Sequence, residues 1–274
     1  MNSGAGQQAH HEQNPVQKFG TTGIKPMARP TLVTRIFMRV VSWSEWLNLA
    51  FSKIGNPPIY DNAVFPWSRL IEKDWRLVRA ELERVLTRKD ELPAFHELAT
   101  DASTISRDHG WKSFILAAYG FRSANNIGSC PQTWRICRNI PGLISVMYSI
   151  LEPGKYLPPH RGPYNGVLRL HLGLIVPEPR DMLGIRVENE VYRWREGEVV
   201  IFDDAYEHEA WNRTQHTRVV LFVDFRKPLR FPASLFNWFL LHLAIFTPFM
   251  REGVDNQKAW EKKFYAEAEA LPKR

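Results

Sequence analysis

From Val146 onward, apolar and polar residues alternate in short runs, the period-two signature of strands with two different faces. Five runs stand out: LISVMYSIL (143–151), GVLRLHLGLIV (166–176), GIRVENEVYRW (184–194), EVVIF (198–202) and TRVVLFVDF (217–225). Gly154, Pro158–Pro159, Pro177–Pro179 and Gly197 punctuate them. Short strands at this spacing predict a sandwich or jelly roll rather than βαβ units. Upstream the period lengthens. In PWSRLIEKDWRLVRAELERVLT (66–87), Leu70, Ile71, Trp75, Val78, Leu82, Val85 and Leu86 predict the buried face of a helix that Ser68 caps. Residues 90–145 show no clear period, apart from turn signals at 125–128 and Pro131, and no internal repeat occurs. The expected architecture is mainly β: a core at about 143–228 behind an α-helical N-terminal region.

Two apolar segments lie outside that core. In 31–57, Ile36, Phe37, Val40, Val41, Leu47, Ala50 and Phe51 form an approximate helical stripe interrupted by Arg35, Arg39 and Lys53. Two readings stand: a basic amphipathic helix on an anionic membrane surface, or a helix packed on the domain. The stretch FPASLFNWFLLHLAIFTPFM (231–250) contains no Asp, Glu, Lys or Arg and is about as long as a bilayer crossing requires. Pro232, Asn237, His242 and Pro248 weaken a spanning reading without removing it; an interfacial or re-entrant segment fits equally well, and a helix buried against the core or in a dimer is the further alternative. The expected organisation is a disordered tail (1–30), the amphipathic segment (31–57), a domain (60–228) and an apolar C-terminal segment (229–274).

Charge narrows the partners. The 36 Lys and Arg against 29 Asp and Glu give a net +7 without any basic block of nucleic-acid type, so no nucleic-acid partner is expected. Cys130 and Cys137 form no CxxC pair, which argues against a disulfide framework or structural zinc and predicts two small buried residues. The first twenty residues lack the apolar core of a secretory signal, and His10 and His11 there read as a solvated pair. Nothing indicates an oligomeric state.

The candidate chemistry lies in the β region. In YLPPHRGPYNGVLRLHLGLIVP (156–177), His160 precedes a strand whose alternation sets Leu168, Leu170, Leu172 and Leu174 on one face and Arg169 and His171 on the other. A guanidinium turned into a small barrel needs an anion, either a bound carboxylate or an Asp or Glu of the chain. In EGEVVIFDDAYEHEAWNRT (196–214), His208 follows Gly197 by eleven residues and Asn212 follows His208, spacing that matches the second motif of cupin-type jelly rolls. Neutral imidazoles at two strand-edge turns, each followed by a strand arginine (Arg169, Arg218), point to a metal and an anionic cosubstrate. Asp203 and Asp204 read as turn-capping or outer hydrogen-bonding groups.

PHRGPYNGVLRLHLGLIVP, WREGEVVIFDDAYEHEAWN and TRVVLFVD together make residues 60–228 resemble the aspartyl/asparaginyl β-hydroxylase family of Fe(II)- and 2-oxoglutarate-dependent dioxygenases. The resemblance implies a double-stranded β-helix in which His160 and His208 are the catalytic metal ligands. It implies that Arg169 and His171 contact 2-oxoglutarate, and that Arg218 pairs with its distal carboxylate. Ser149, and Trp111 in HGWKSF, would line the same pocket. Gly162 stands where many such enzymes place an acidic third ligand, and the family generally lacks that acid. The implied reaction consumes O2, converts 2-oxoglutarate to succinate and CO2, and hydroxylates an unactivated C–H bond.

Several further stretches (FPWSRLIEKDWRLVRAELERV, GWKSF, CPQTWRICRNIPGL and LEPGKYLPPHRGP) look like the branch of the family that hydroxylates acyl chains of lipid A or ornithine lipids. With the two apolar segments, they imply a membrane lipid substrate and work at the cytoplasmic face of the bacterial inner membrane. The alternative is β-hydroxylation of Asp or Asn in a peptide. A cupin barrel acting only as a binding module is a third class, opposed by the presence of both histidines and both arginines.

Overall fold

The computed structural model describes residues 32–270, and the expected tail at 1–30 lies outside them. Residues 40–270 belong to one compact unit. In chain order the helices are α1 (Leu32–Ala50), α2 (Ser68–Lys73), α3 (Trp75–Leu86), α4 (Phe95–Leu98), α5 (Ala124–Ser129), α6 (Pro131–Cys137), α7 (Ala233–Ala244) and α8 (Pro248–Ala270). The strands are β1 (Ile59–Tyr60), β2 (Trp111–Ala118), β3 (Phe121–Arg122), β4 (Leu143–Leu151), β5 (Tyr156–His160), β6 (Val167–Ile175), β7 (Leu183–Val187), β8 (Glu190–Tyr192), β9 (Val199–Phe202), β10 (His208–Asn212) and β11 (Arg218–Arg226).

The strands form two antiparallel sheets, the jelly-roll arrangement that the alternation predicts. The larger has the order β1-β9-β6-β11-β4-β2-β3 and the smaller β5-β10-β7-β8. Alternation divides the larger sheet's side chains between two cores. Its outer face (Leu168, Leu170, Leu172 and Leu174 of β6; Val219, Leu221, Val223 and Phe225 of β11) packs with Ile71, Val78, Leu82 and Val85 of α2 and α3. Its inner face meets the smaller sheet through Trp111, Leu151, Val200, Phe202 and Val220 against Leu157, Ile185, Val187 and Ala210. Burial of two layers of branched side chains, each worth roughly 1.5–3 kcal/mol, drives this arrangement. The polar residues of the inner face are thereby confined between the sheets.

Register turns the inner face into a grid of four levels. Arg169, Asp224, Ser145 and Ala118 lie across β6, β11, β4 and β2; His171, Phe222, Met147 and Ile115 form the next level. Gly173, Val220, Ser149 and Ser113 follow, and Arg218, Leu151 and Trp111 form the last.

Several sequence expectations need correction. The helix expected over 66–87 is two helices, broken at Asp74 (φ −99°, ψ 12°). The break turns Trp75 onto Gly197, where a Cβ would lie 2.7 Å from the indole nitrogen. Ser68 caps nothing: it sits inside α2 with its hydroxyl buried and unpartnered, and Leu70 faces solvent. The run 184–194 is the hairpin β7–β8, turned at Glu188 with a positive φ of 51°. The stretch 231–250 divides between α7 and α8, and among the described residues no helix is long and apolar enough to cross a membrane. Cys130 and Cys137 are buried free thiols.

Candidate active site

The two histidines singled out in the sequence face each other across neighbouring strands. His160 closes β5, His208 opens β10, and the two are direct register partners in the smaller sheet. Their ring centroids are 4.2 Å apart. β5 reads YLPPH, and its two prolines are tolerated because it is the sheet's edge strand. In each histidine Nδ1 lies against the backbone carbonyl two residues earlier, Pro158 O at 2.7 Å and Tyr206 O at 2.9 Å. A carbonyl only accepts, so Nδ1 carries the proton and Nε2 the lone pair. Burial lowers the pKa of both rings, His208 to about 3, and the neighbouring Arg169 charge adds to the effect. Two neutral imidazoles with oriented Nε2 lone pairs are a donor set for a divalent transition metal. Among the described residues no cluster of three or more His, Cys, Asp or Glu groups is placed to share a metal ion, so these two rings would be its protein donors.

Beside them lies a buried charge network. A Cβ added to Gly162 would overlap the Asp204 carboxylate, so Asp204 fills the space that an acidic side chain at 162 would enter. The Gly162 amide donates to Asp204 O at 2.7 Å. Asp204 and Asp224 both engage Arg169, each with one N–O distance of 2.9 Å. Arg169, expected beside 2-oxoglutarate, therefore already has two carboxylate partners. Burial pulls its guanidinium pKa down, and the two carboxylates more than restore it. Burial pushes the Asp204 carboxyl up to about 7 against the pull of Arg169. Asp203 pairs instead with buried Lys227 at 2.8 Å.

Arg218 has the opposite surroundings. It is fully buried, its guanidinium lies 4.4 Å from the Trp194 ring centroid, and among the described residues no carboxylate pairs with it. Its guanidinium makes a long 3.5 Å contact to Ser149 O, its Nε has no partner among the described residues, and burial pulls its pKa down to about 9. Both ring nitrogens of His171 and the indole nitrogen of Trp194 are likewise buried without partners. The Trp111 indole donates to Ser149 Oγ at 3.1 Å. Burying a charge without a counter-ion is unfavourable, so this cluster of an unpaired cation and unpartnered polar groups suits a small carboxylate ligand. The histidine pair connects to it through Phe202, 5.8 Å from His208 and 5.0 Å from His171.

The structure thus groups His160 with His208, and Trp111 and Ser149 with Arg218, while Arg169 joins an acidic pair. Asp224 and Trp194 were not singled out from sequence. Asp224 had a visible signal, as a lone acid on the Arg218 face of an apolar strand. Trp194 had none.

A cavity of about 360 Å³ opens from His160 and Trp111 along β2 and β4. Arg161, Gly162, Arg169 and Asp204 line it near the histidine, and Leu98, Ile105, Met147, Phe222 and Val254 give it a largely apolar wall. Arg218 and His171 lie outside its lining.

The chain is 63% identical over 260 residues to an ornithine lipid ester-linked acyl 2-hydroxylase of Rhizobium tropici, covering 95% of this chain and 92% of that protein. It is 32% identical over 163 residues to the aspartyl/asparaginyl beta-hydroxylase of Homo sapiens, a match spanning 58% of this chain and 21% of the human protein. Among solved structures, a Pseudomonas putida prolyl-4-hydroxylase aligns over 56% of this chain and 87% of its own at 20% identity, with a TM-score of 0.37. That likeness is too distant to bear on function. Residues 72–228, which hold both histidines and both strand arginines, match the family described as Aspartyl/Asparaginyl beta-hydroxylase. With that match and the R. tropici relative, the chain is an enzyme of the aspartyl/asparaginyl β-hydroxylase family, a family of hydroxylases.

Proposed function

We propose that this chain is an Fe(II)- and 2-oxoglutarate-dependent dioxygenase that hydroxylates an acyl chain of a membrane lipid, an ornithine lipid in preference to lipid A. The observation that carries the reading is the pair of opposed neutral imidazoles, one of which, His160, lines a largely apolar cavity. The 63% identical relative, whose name specifies the ester-linked acyl chain of an ornithine lipid, supports the substrate.

When bound, iron with 2-oxoglutarate and O2 would supply the C–H oxidation, one oxygen entering the product and the other succinate, with release of CO2. His160 and His208 would hold the metal through Nε2, their rings fixed by the carbonyls of Pro158 and Tyr206. Arg218 would take the distal carboxylate of 2-oxoglutarate, exchanging an unpaired buried charge for a charge-assisted pair worth about 1.5–3 kcal/mol. His171, Trp111 and Ser149 would frame that ligand. Arg169, held between Asp204 and Asp224, would fix the position of Asp204 beside the histidine pair. The apolar cavity wall would orient the acyl chain and exclude water from the reacting carbon.

Mass spectrometry of total lipids from bacteria expressing the chain, beside the His160→Ala/His208→Ala variant, tests this reading. Gain of one oxygen on an ornithine lipid, seen only with the intact pair, is expected. An unchanged lipid profile, with an Asp- or Asn-containing peptide oxidised by the purified protein, would replace it with the peptide reading that the human relative's name favours.

A further inference from the structure

Helix α7 is amphipathic the wrong way round for a helix packed against a water-soluble protein. Its inward positions, Ala233, Asn237 and Leu241, recur every four residues and are small or polar in two of three cases. Asn237 is spent on the backbone, donating to Gly166 O at 2.8 Å. The larger apolar side chains Leu235, Trp238, Phe239 and Leu243 face outward and are 42–59% exposed. Phe231 and Phe246 extend this face past both helix ends, at 75% and 65% exposure. In water such a face is unfavourable, because apolar surface is left wet while an amide is buried.

The C-terminal part of α1 continues the same surface. Leu47 packs with Leu229 and Ala233, and Trp43, itself half exposed, meets Phe236 edge-on at 5.2 Å. Trp46 and Leu49 stand exposed beside that contact. Backbone hydrogen bonds from Lys53 to Pro228 O and from Arg230 to Phe51 O fix the two helices together. Lys53, Arg230 and Arg251 are exposed around the patch, whereas residues 231–250 carry no charge at all. Aromatic side chains over an apolar face with a basic rim match the boundary between acyl chains and anionic headgroups.

The position of α7 links this surface to the cavity. Within the helix Asn237 holds Gly166, in the loop that follows His160; just past its C-terminal end Ile245 packs against Gly120, next to the cavity residues Tyr119 and Phe121. Asn48 of α1 also donates to Tyr164 and Asn165 in the His160 loop.

We propose that the outward faces of α1 (from Val40) and α7 form a monotopic docking surface that seats the protein in one leaflet of an anionic bilayer. The helices lie in the interface without crossing it: twelve residues of α7 rise about 18 Å, short of a hydrocarbon core of about 30 Å. This docking delivers a lipid acyl chain to the adjoining cavity without the lipid leaving the membrane. The docking does not depend on the proposed reaction, since vesicle binding is read without turnover.

Flotation of the full-length protein with vesicles of phosphatidylcholine containing phosphatidylglycerol tests it, beside the Leu235→Glu/Phe239→Glu variant and, separately, Trp46→Ser. Their positions are exposed, and thermal melts identify any variant that misfolds. The intact protein is expected to float, with at least about tenfold weaker partitioning for the double variant. Arg230→Glu/Arg251→Glu is expected to weaken binding to anionic vesicles far more than to pure phosphatidylcholine. Equal flotation of folded wild type and double variant, or none by the wild type, overturns the proposal. So does light scattering that shows a dimer which the double variant dissociates while vesicle binding is unchanged, since the face would then belong to a second copy.

Discussion

His160 and His208 stand directly opposite each other on β5 and β10, ring to ring at 4.2 Å, each with Nδ1 tied to a carbonyl two residues back in its own strand. Two rings fixed in this way form a preorganised two-nitrogen site. Replacing either with Ala should lower affinity for Fe(II), or for Co(II) as a spectroscopic probe, by at least about tenfold, while the far-UV spectrum stays that of the intact fold. Metal titration of His160→Ala and His208→Ala checks this, and wild-type affinity in either would remove that ring from the site.

A side chain at position 162 and the Asp204 carboxylate exclude one another. Gly162→Asp should destabilise the protein, because its Cβ enters the space of the Asp204 carboxylate while Arg169 holds that carboxylate in place. Overpacking of this kind costs about 1–3 kcal/mol, with like-charge repulsion added. Combining it with Asp204→Gly should recover much of the loss. A single Gly162→Asp variant that melts like the wild type would mean that the two positions are not in conflict.

Arg218 is a buried guanidinium without a carboxylate partner, so it should destabilise the ligand-free protein. Arg218→Met is expected to raise the melting temperature of the metal-free, ligand-free protein. Glutarate or 2-oxoglutarate should stabilise the wild type and leave the variant unmoved. Differential scanning calorimetry with and without dicarboxylate reads both effects, and equal stabilisation of the variant would assign the anion to another cation.

His171 provides a pH signature. Burial first, then the charges of Arg218 and Arg169, hold its pKa well below the ordinary 6.5. Below pH 6.5 the unfolded chain takes up a proton that the folded chain refuses, so stability is fully present above 6.5 and falls as pH drops. The slope approaches about 1.4 kcal/mol per pH unit for this one group. Asp204, raised to about 7, slopes the other way, so the comparison is made against His171→Leu, whose profile should lack the His171 component. Parallel urea-denaturation profiles for the two proteins between pH 4 and 7 would show that His171 is not held neutral.

The β region was legible because its long strands alternate cleanly: the run 143–151 coincides with β4, and the runs containing β6, β9 and β11 differ from them only at the ends. Burial on both faces hid β2, where Lys112 and Ser113 both lie inside. Prolines and polar residues masked β5 and β10, the strands that carry the two histidines. Both histidines and the anion-seeking arginines could be named from residue type and spacing. The division of labour between the arginines could not. Which one meets chain carboxylates depends on register, and register sets Asp224 opposite Arg169 and leaves Arg218 opposite Leu151. The inverted polarity of α7 was equally hidden, since an apolar run does not reveal which of its sides is covered.

The proposed use of O2 and 2-oxoglutarate to hydroxylate a lipid acyl chain leaves an isotopic signature. Turnover of the purified protein with Fe(II), 2-oxoglutarate and an ornithine lipid under 18O2 tests it most directly. One 18O atom is expected in the hydroxylated acyl chain and one in succinate, with neither product formed by His160→Ala/His208→Ala. Lipid oxygen derived from water, or lipid hydroxylation without succinate, would contradict it.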